Sequence, residues 1–102
     1  MKRELKKLER RIERIKARML ALGPMRPGSL TSQKRGDSGS YCQLSYTHRG
    51  RGRTEYVRPE FAADVKKQIA NYRRFREMVD QLIDLEIERS KIKMKIEKKE
   101  AD

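Results

Sequence analysis

Three arginines at alternate positions, Arg49, Arg51 and Arg53, are the residues of this chain best suited to bind a ligand. They lie in the segment HRGRGR, where Gly50 and Gly52 permit a tight turn and a close backbone approach. A guanidinium group offers a fork of donors that matches phosphate oxygens, and a β-ribbon is narrow enough to enter a nucleic-acid groove. The segment therefore predicts phosphate contact. The alternative is a soluble hairpin end that binds nothing.

A second set of basic side chains lies on one face of the N-terminal segment. Apolar residues recur there at spacings of three and four, which is typical of a coiled-coil helix that packs along one stripe. The stripe consists of Leu5, Leu8, Ile12, Ile15, Met19 and Leu22. The opposite face carries Lys7, Arg10, Arg11, Arg14 and Arg18. This basic face is either solvated or bound to a polyanion, and both interpretations stay open.

The whole chain is strongly basic, with 27 Lys and Arg against 15 Asp and Glu and a formal net charge of +12. Residues 1–22 have nine basic and three acidic side chains, residues 23–58 have seven and two, and residues 59–102 have eleven and ten. The surplus is therefore concentrated before residue 59, which favours a polyanionic partner for that part. The further candidates for phosphate contact are Arg26, Lys34, Arg35 and Arg58.

Catalysis, metal binding and membrane insertion find no support in the composition. The single cysteine, Cys42, excludes a zinc site built on paired cysteines, and His48 is the one histidine. No glycine-rich loop has P-loop spacing. We therefore predict a protein that is not an enzyme, with no catalytic residue, no metal site and no cofactor. No apolar run reaches the ~18 residues that cross a bilayer, and no signal peptide is present, so we expect a cytoplasmic protein without membrane contact.

The elements that position the basic residues are two helices with a hairpin between them. We predict a single domain over residues 1–102, with a basic coiled-coil helix over 2–22, a turn and mobile loop over 23–40, a β-hairpin over 41–58 and a long helix over 59–98. Cys42, Leu44 and Tyr46 alternate with polar residues, which predicts one buried face for the hairpin. The fold class is mostly α with a small β-hairpin, arranged as an antiparallel helical coiled-coil hairpin.

The unequal lengths of the two helices predict a second chain. If Leu22 packs near Val65, then Leu5 falls opposite Leu82, and the apolar residues beyond Leu82 have no partner within the chain. We expect a homodimer as the result, and a frayed C-terminal tail is the alternative. The predicted dimer interface consists of Ile83, Ile87, Ile92 and Ile96.

Several segments together resemble a family of small prokaryotic proteins of unknown function that occur near transposases and other mobile-element genes. The segments are GPMRPGSL, YCQLSYT, EYVRPE and QIANYRRFREMVDQL, within about residues 18–85. Typical members carry a cysteine cluster and a Gly-Pro-Tyr-Tyr step before the first strand. Here the shorter TSQKRGDSGS takes that place, with Gly39, Ser40, Tyr41 and Cys42 at the step. The resemblance implies a mobile-element or phage setting and makes MRPGSL a contact loop as well as a connector, but it implies no metal site.

Two classes of function follow. The favoured class is a non-enzymatic nucleic-acid-binding protein, with DNA favoured over RNA, whose basic helix and hairpin tip contact phosphates through charge and shape. The alternative is a coiled-coil adaptor or inhibitor whose partner is a protein of a mobile-element system, such as a recombinase or a defence complex.

Overall fold

A computed structural model describes residues 1–34 and 40–101 of the chain. Its elements are helix α1 (Lys2–Ala21), strands β1 (Ser29–Lys34), β2 (Ser40–His48) and β3 (Arg51–Val57), a 3₁₀ turn (Pro59–Phe61) and helix α2 (Ala62–Ala101). The predicted mostly helical fold, with a hairpin between a first helix and a long second helix, is confirmed. Arg35 lies outside the described residues, together with residues 36–39 of the predicted mobile loop, and only the backbone of Lys34 is described.

Two compact units make up the chain. One consists of Met1–Leu22 and Phe75–Asp102, and the other consists of Gly23–Arg74. We call them the helical unit and the sheet unit. Helix α2 contributes its first turns to the sheet unit and the remainder to the helical unit. No helix of the described residues is long and apolar enough to cross a lipid bilayer.

The helical unit has a small apolar core between α1 and the C-terminal part of α2. Arg18 lies beside Gln81, whereas Lys7 lies beside Glu88, so the two segments run antiparallel. Ile12 is completely buried. The core consists of the buried Leu8, Ile12 and Leu85, with Ile15, Leu82 and Ile92 packed against them.

The predicted pairing of the helices is wrong in its register. Ile12 shares a buried cluster with Leu85, so Leu5 does not lie opposite Leu82. The reason is that the first turns of α2 pack on the sheet through Val65 and Ile69, which leaves α1 to pair with the part of α2 that begins at Phe75. Ile92, predicted to contact a second chain, is half-buried and packs on the core of its own helical unit.

The sheet unit is built on an antiparallel sheet with the strand order β1-β2-β3. Its first strand is a correction, because residues 29–34 were predicted to be turn and loop. The segment SLTSQK has one apolar residue, Leu30, and therefore little periodicity. It forms a strand because its backbone pairs along β2, with Leu30 opposite Leu44 and Lys34 opposite Ser40.

One face of the sheet is covered by the first turns of α2. Leu44 is 0% exposed, and Cys42 is also buried, as the alternation predicted. The core consists of the buried Leu44, Val65 and Ile69, with Leu30, Tyr46 and Val57 packed against them. Gly28 lies directly over this core, with a φ of 148°, and a Cβ atom at this position would lie 2.6 Å from Cδ1 of Leu44.

Candidate nucleic-acid interface

The arginine-rich tip is a two-residue turn, Arg49–Gly50, between paired His48 and Arg51. Both turn residues have positive φ, 53° at Arg49 and 77° at Gly50. This is the backbone of a hairpin turn that matches the twist of the strands, and it normally carries Asn or Asp followed by Gly. Arg49 is the one non-glycine residue with positive φ in the described part of the chain. A long basic side chain is thus held where a small polar residue is preferred, which is a reason to look for a function.

The strand register fixes the direction of the other two arginines. Arg51 lies opposite His48 and Arg53 lies opposite Tyr46, and directly opposed residues of an antiparallel pair share a face. Arg51 and Arg53 therefore lie on the same face as Leu44, at the end of the sheet. Both side chains are exposed. Arg49, Arg51 and Arg53 form no ion pair with any described side chain. The three guanidinium groups of the predicted tip can therefore bind an anion from outside the chain.

Arg26, a further predicted phosphate contact, lies in a different environment. Its guanidinium group is 5.0 Å from the ring centre of Tyr46 and 3.6 Å from Oε2 of Glu55. The hydroxyl of Tyr46 donates a 2.6 Å hydrogen bond to Oε1 of the same carboxylate. This hydrogen bond is the main reason that the pKa of Tyr46 is raised. The charge of Arg26 is therefore largely balanced by Glu55, and the contacts of Arg26 stabilise the sheet unit.

The MRPGSL turn is anchored on α2. The side-chain amide of Asn71 donates to the carbonyl of Pro24 at 3.0 Å, and the backbone N–H of Arg26 donates to the carbonyl of Gln68 at 3.2 Å. Two of the segments that carry the family resemblance, GPMRPGSL and QIANYRRF, are therefore in direct contact. Their joint role in the fold is to fix the start of β1 against α2.

The basic face of α1 is exposed along its whole length. All five predicted residues, Lys7, Arg10, Arg11, Arg14 and Arg18, are solvent-exposed. A shallow depression near the helix start is lined entirely by basic side chains, namely Lys2, Arg3, Lys6, Lys7 and Arg10. Glu4 and Glu9 lie in the first half of the helix, and Glu13, which pairs with Lys16 at 3.9 Å, lies in the second. Both halves of the helix therefore carry a surplus of positive charge.

The sequence analysis missed a basic surface on the first part of α2. Residues 59–76 have five basic and two acidic side chains, whereas residues 77–102 have six and eight. The near-neutral total for the long helix concealed this division, and counting the two halves separately reveals it. Seven-residue spacings place Lys66 with Arg73, and Lys67 with Arg74, on adjacent rows of the helix surface. All four are exposed within the sheet unit.

The predicted dimer residues fall into two groups. Ile83 and Ile87 are each 50% exposed, and Met94, which was not predicted, is 59% exposed. Ile92 belongs to the intrachain core, and Ile96 is half-buried. The apolar surface that remains open on α2 is therefore a stripe of Ile83, Ile87 and Met94. Among the described residues, no three His, Cys, Asp or Glu side chains lie close enough together to hold a metal ion.

The comparisons with known proteins give one match. A family model described as a domain of unknown function, DUF6788, matches residues 5–67, from α1 through the sheet to the first turns of α2. The comparison with curated proteins gave no match, and neither did the comparison with solved structures.

Proposed function

The chain belongs to the DUF6788 family of unknown function, and from this premise we propose that it is a non-enzymatic nucleic-acid-binding protein. It binds phosphates through the hairpin tip and the basic helix surfaces, prefers DNA to RNA, and acts in the cytoplasm in a mobile-element or phage setting. The observation that carries the proposal is the tip itself, where Arg49, Arg51 and Arg53 are exposed without carboxylate partners among the described residues.

The charge of the sheet unit supports the same proposal. Residues 23–74 carry eleven basic and four acidic side chains. One of those acids, Glu55, is already paired with Arg26, and Glu60 lies 3.7 Å from Arg58. The eleven basic side chains still exceed the four acidic ones by seven, so most of the positive charge of this unit has no acid to balance it. A surface of this composition attracts a polyanion from a distance and holds it by release of counterions.

A salt titration tests the proposal. If each protomer neutralises about five phosphates, the slope of log K against log salt concentration is about −4 to −5 on duplex DNA. Replacing Arg49, Arg51 and Arg53 with Gln makes the slope less negative by about three units, because three phosphate contacts are lost. The matched control replaces Lys93, Lys98 and Lys99 with Gln, which removes the same charge from the acidic part of the chain and leaves the slope nearly unchanged. Affinity that does not change with salt contradicts the proposal.

The exposed stripe of α2 supports the predicted homodimer. Ile83, Ile87 and Met94 recur at helical spacing on one face, and an isolated apolar stripe of this kind marks an interface. One flank of the stripe carries Asp80 and Asp84 before its centre and Lys91 and Lys95 after it. A two-fold axis through that centre brings the acidic pair of one copy beside the basic pair of the other. We therefore propose antiparallel pairing of two α2 stripes.

The same stripe is what favours the alternative function, a coiled-coil adaptor or inhibitor that binds a protein such as a recombinase or a defence complex. For an adaptor, polar substitution at Ile87 abolishes function and substitution of the three tip arginines leaves it intact. For the proposed nucleic-acid-binding protein, the arginine substitutions are the damaging ones. The two functions are therefore distinguished by the same pair of variants.

A further inference from the structure

The sheet has a second face, which we call the outer face, that points away from Leu44 and α2. Residues of the three strands alternate between the two faces, and the register therefore assigns each side chain to one of them. The outer face carries Ser29, Thr31, Tyr41, Gln43, Ser45, Thr47, Thr54 and Tyr56. Most of these side chains are exposed, and Tyr41 and Gln43 are half-buried.

Tyr56 is the most prominent group on this face. It is 73% exposed on the edge strand β3, although aromatic rings of this size are normally largely buried. The ring of Tyr41 contacts it edge-on, with ring centres 5.5 Å apart and an angle of 67° between the planes. This contact lies against the ring of Tyr56, which stays largely open to solvent. The arrangement is that of a preformed stacking surface.

The remainder of the outer face is small and rich in hydroxyl groups. Ser29, Ser45 and Thr54 form one row across the three strands. They border an open concavity of about 420 Å³, and beside them Gly52 has no heavy atom within 4 Å of the position of a Cβ. Enclosed pockets cover most of a small ligand, but this surface is open on one side. It fits a segment of a polymer that passes across the sheet.

The charges around the outer face indicate which kind of polymer this face binds. Glu55 is the one carboxylate in the described strands, and it lies on the opposite face, where Tyr46 and Arg26 bind it. Arg49 at one end of β3 and Arg58 at the other are exposed. A face with stacking and hydroxyl groups between two basic ends matches a chain of bases joined by phosphates.

We propose that the outer face binds single-stranded nucleic acid, with an unpaired base stacked on Tyr56, its edge at the hydroxyl row, a neighbouring phosphate at Arg58 and a phosphate further along the strand at Arg49. This inference rests on the proposed function and specifies its substrate class. A duplex offers no free base face to Tyr56, because its bases are stacked on one another, whereas single strands expose theirs. The outer face therefore distinguishes unpaired strands from duplexes, and the tip binds the phosphates of both.

The test measures binding of the full chain to four probes at one salt concentration: single-stranded oligothymidylate, oligouridylate, a DNA duplex and an RNA duplex. The key variant is Tyr56→Val, which removes the ring but keeps a residue that favours strands. We expect its affinity for the single strands to fall roughly 5- to 100-fold and its affinity for both duplexes to stay within about twofold. Tyr56→Phe keeps the ring and retains single-strand affinity. Circular dichroism establishes that both variants are folded.

The outcomes separate the inference from the function it rests on. Loss of single-strand binding in Tyr56→Val, with recovery in Tyr56→Phe, supports the inference, and the DNA and RNA arms then identify the preferred strand. Unchanged single-strand affinity in folded Tyr56→Val, with duplex binding that the salt titration shows to be salt-dependent, overturns the inference and leaves the proposed function intact. Failure of the wild-type chain to bind any of the four probes overturns both.

Discussion

Gly28 is the residue whose replacement the structure forbids most directly. Its φ of 148° strains any other residue, and a Cβ atom would lie 2.6 Å from the buried Leu44 side chain and 3.3 Å from the carbonyl oxygen of Ser45. We predict that Gly28→Ala destabilises the chain by about 1–3 kcal/mol, since overpacking and backbone strain each cost this much. Chemical denaturation followed by circular dichroism measures the change.

A second glycine provides the matched control. Gly52 lies in β3, and a Cβ atom there meets no heavy atom within 4 Å. Gly52→Ala therefore changes stability by less than about 0.5 kcal/mol or stabilises slightly, because it reduces the freedom of the unfolded chain without strain. Equal losses in the two variants would show that the close contact over Leu44 is absent in solution.

Tyr46 makes the stability of the folded chain depend on pH. The hydrogen bond to Glu55 is the main cause that raises the pKa of Tyr46 above its ordinary value of 10.0. As the pH rises past 10.0, the unfolded chain loses this proton first, so the stability contributed by the hydrogen bond is present below that value and is lost above it. We predict a late component in the tyrosinate absorbance of the chain, which comes from Tyr46.

The substitution Tyr46→Phe assigns this titration. It removes the hydroxyl group that binds Glu55 but keeps the ring beneath Arg26. The late component then disappears, and the loss of stability at alkaline pH becomes shallower than in the wild-type chain. If Tyr46→Phe removes no late component, the hydrogen bond to Glu55 is not formed in solution.

At the scale of elements, the hairpin turn couples stability to binding. Arg49 occupies a positive-φ position that Asn tolerates better. We predict that Arg49→Asn stabilises the chain by about 0.5–1 kcal/mol and at the same time lowers duplex affinity by the contribution of one phosphate contact. Thermal unfolding and a salt titration of the same preparation measure both. A gain in stability with unchanged duplex affinity would show that Arg49 does not bind phosphate.

The elements differ in how far the sequence predicted them. The two helices and the β2–β3 hairpin have strong periodicity of their own, and they were predicted nearly to their ends. Strand β1 has a single apolar residue, and its stability comes from pairing with β2, which is a property of the assembled sheet and not of the segment. The helix register was wrong for the same reason, since it depends on where the sheet unit ends on α2.

The sequence likewise predicted only part of the candidate site. The tip arginines were predicted from local spacing, and the structure leaves them exposed. The engagement of Arg26 with Glu55 was not predictable, because it depends on a contact between residues 29 positions apart. The sequence does not decide whether the side chain of Tyr56 or that of Val57 extends the apolar patch of the hairpin. The strand register decides it by pairing Val57 with the buried Cys42.

For the whole molecule, the proposed pairing of α2 stripes makes stability depend on concentration. We predict that the wild-type chain is a dimer by light scattering and that its unfolding temperature rises with concentration, because association stabilises the folded state by mass action. Ile87→Glu gives a monomer without loss of fold, since Ile87 is 50% exposed in the single chain. A wild-type chain that is monomeric at micromolar concentration contradicts the pairing.

A charge exchange tests the orientation of the dimer. Asp84→Lys places like charges together at the proposed two-fold axis and weakens association. The double variant Asp84→Lys/Lys91→Asp restores it, because the opposite charges of the two copies are again adjacent. If the double variant associates as weakly as Asp84→Lys while Ile87→Glu is monomeric, the stripe is an interface but the two copies do not pair antiparallel.

The burial of Cys42 has a consequence for kinetic experiments. It is the only thiol of the chain, and it lies on the covered face of the sheet, within the sheet unit. A thiol reagent can modify it only when that face opens, so the rate of labelling reports the opening of the sheet unit. The helical unit has no thiol and is silent in the same experiment. The native sequence thus contains a site-specific reporter of local unfolding, and the dependence of labelling on bound nucleic acid would measure how strongly the ligand closes the sheet.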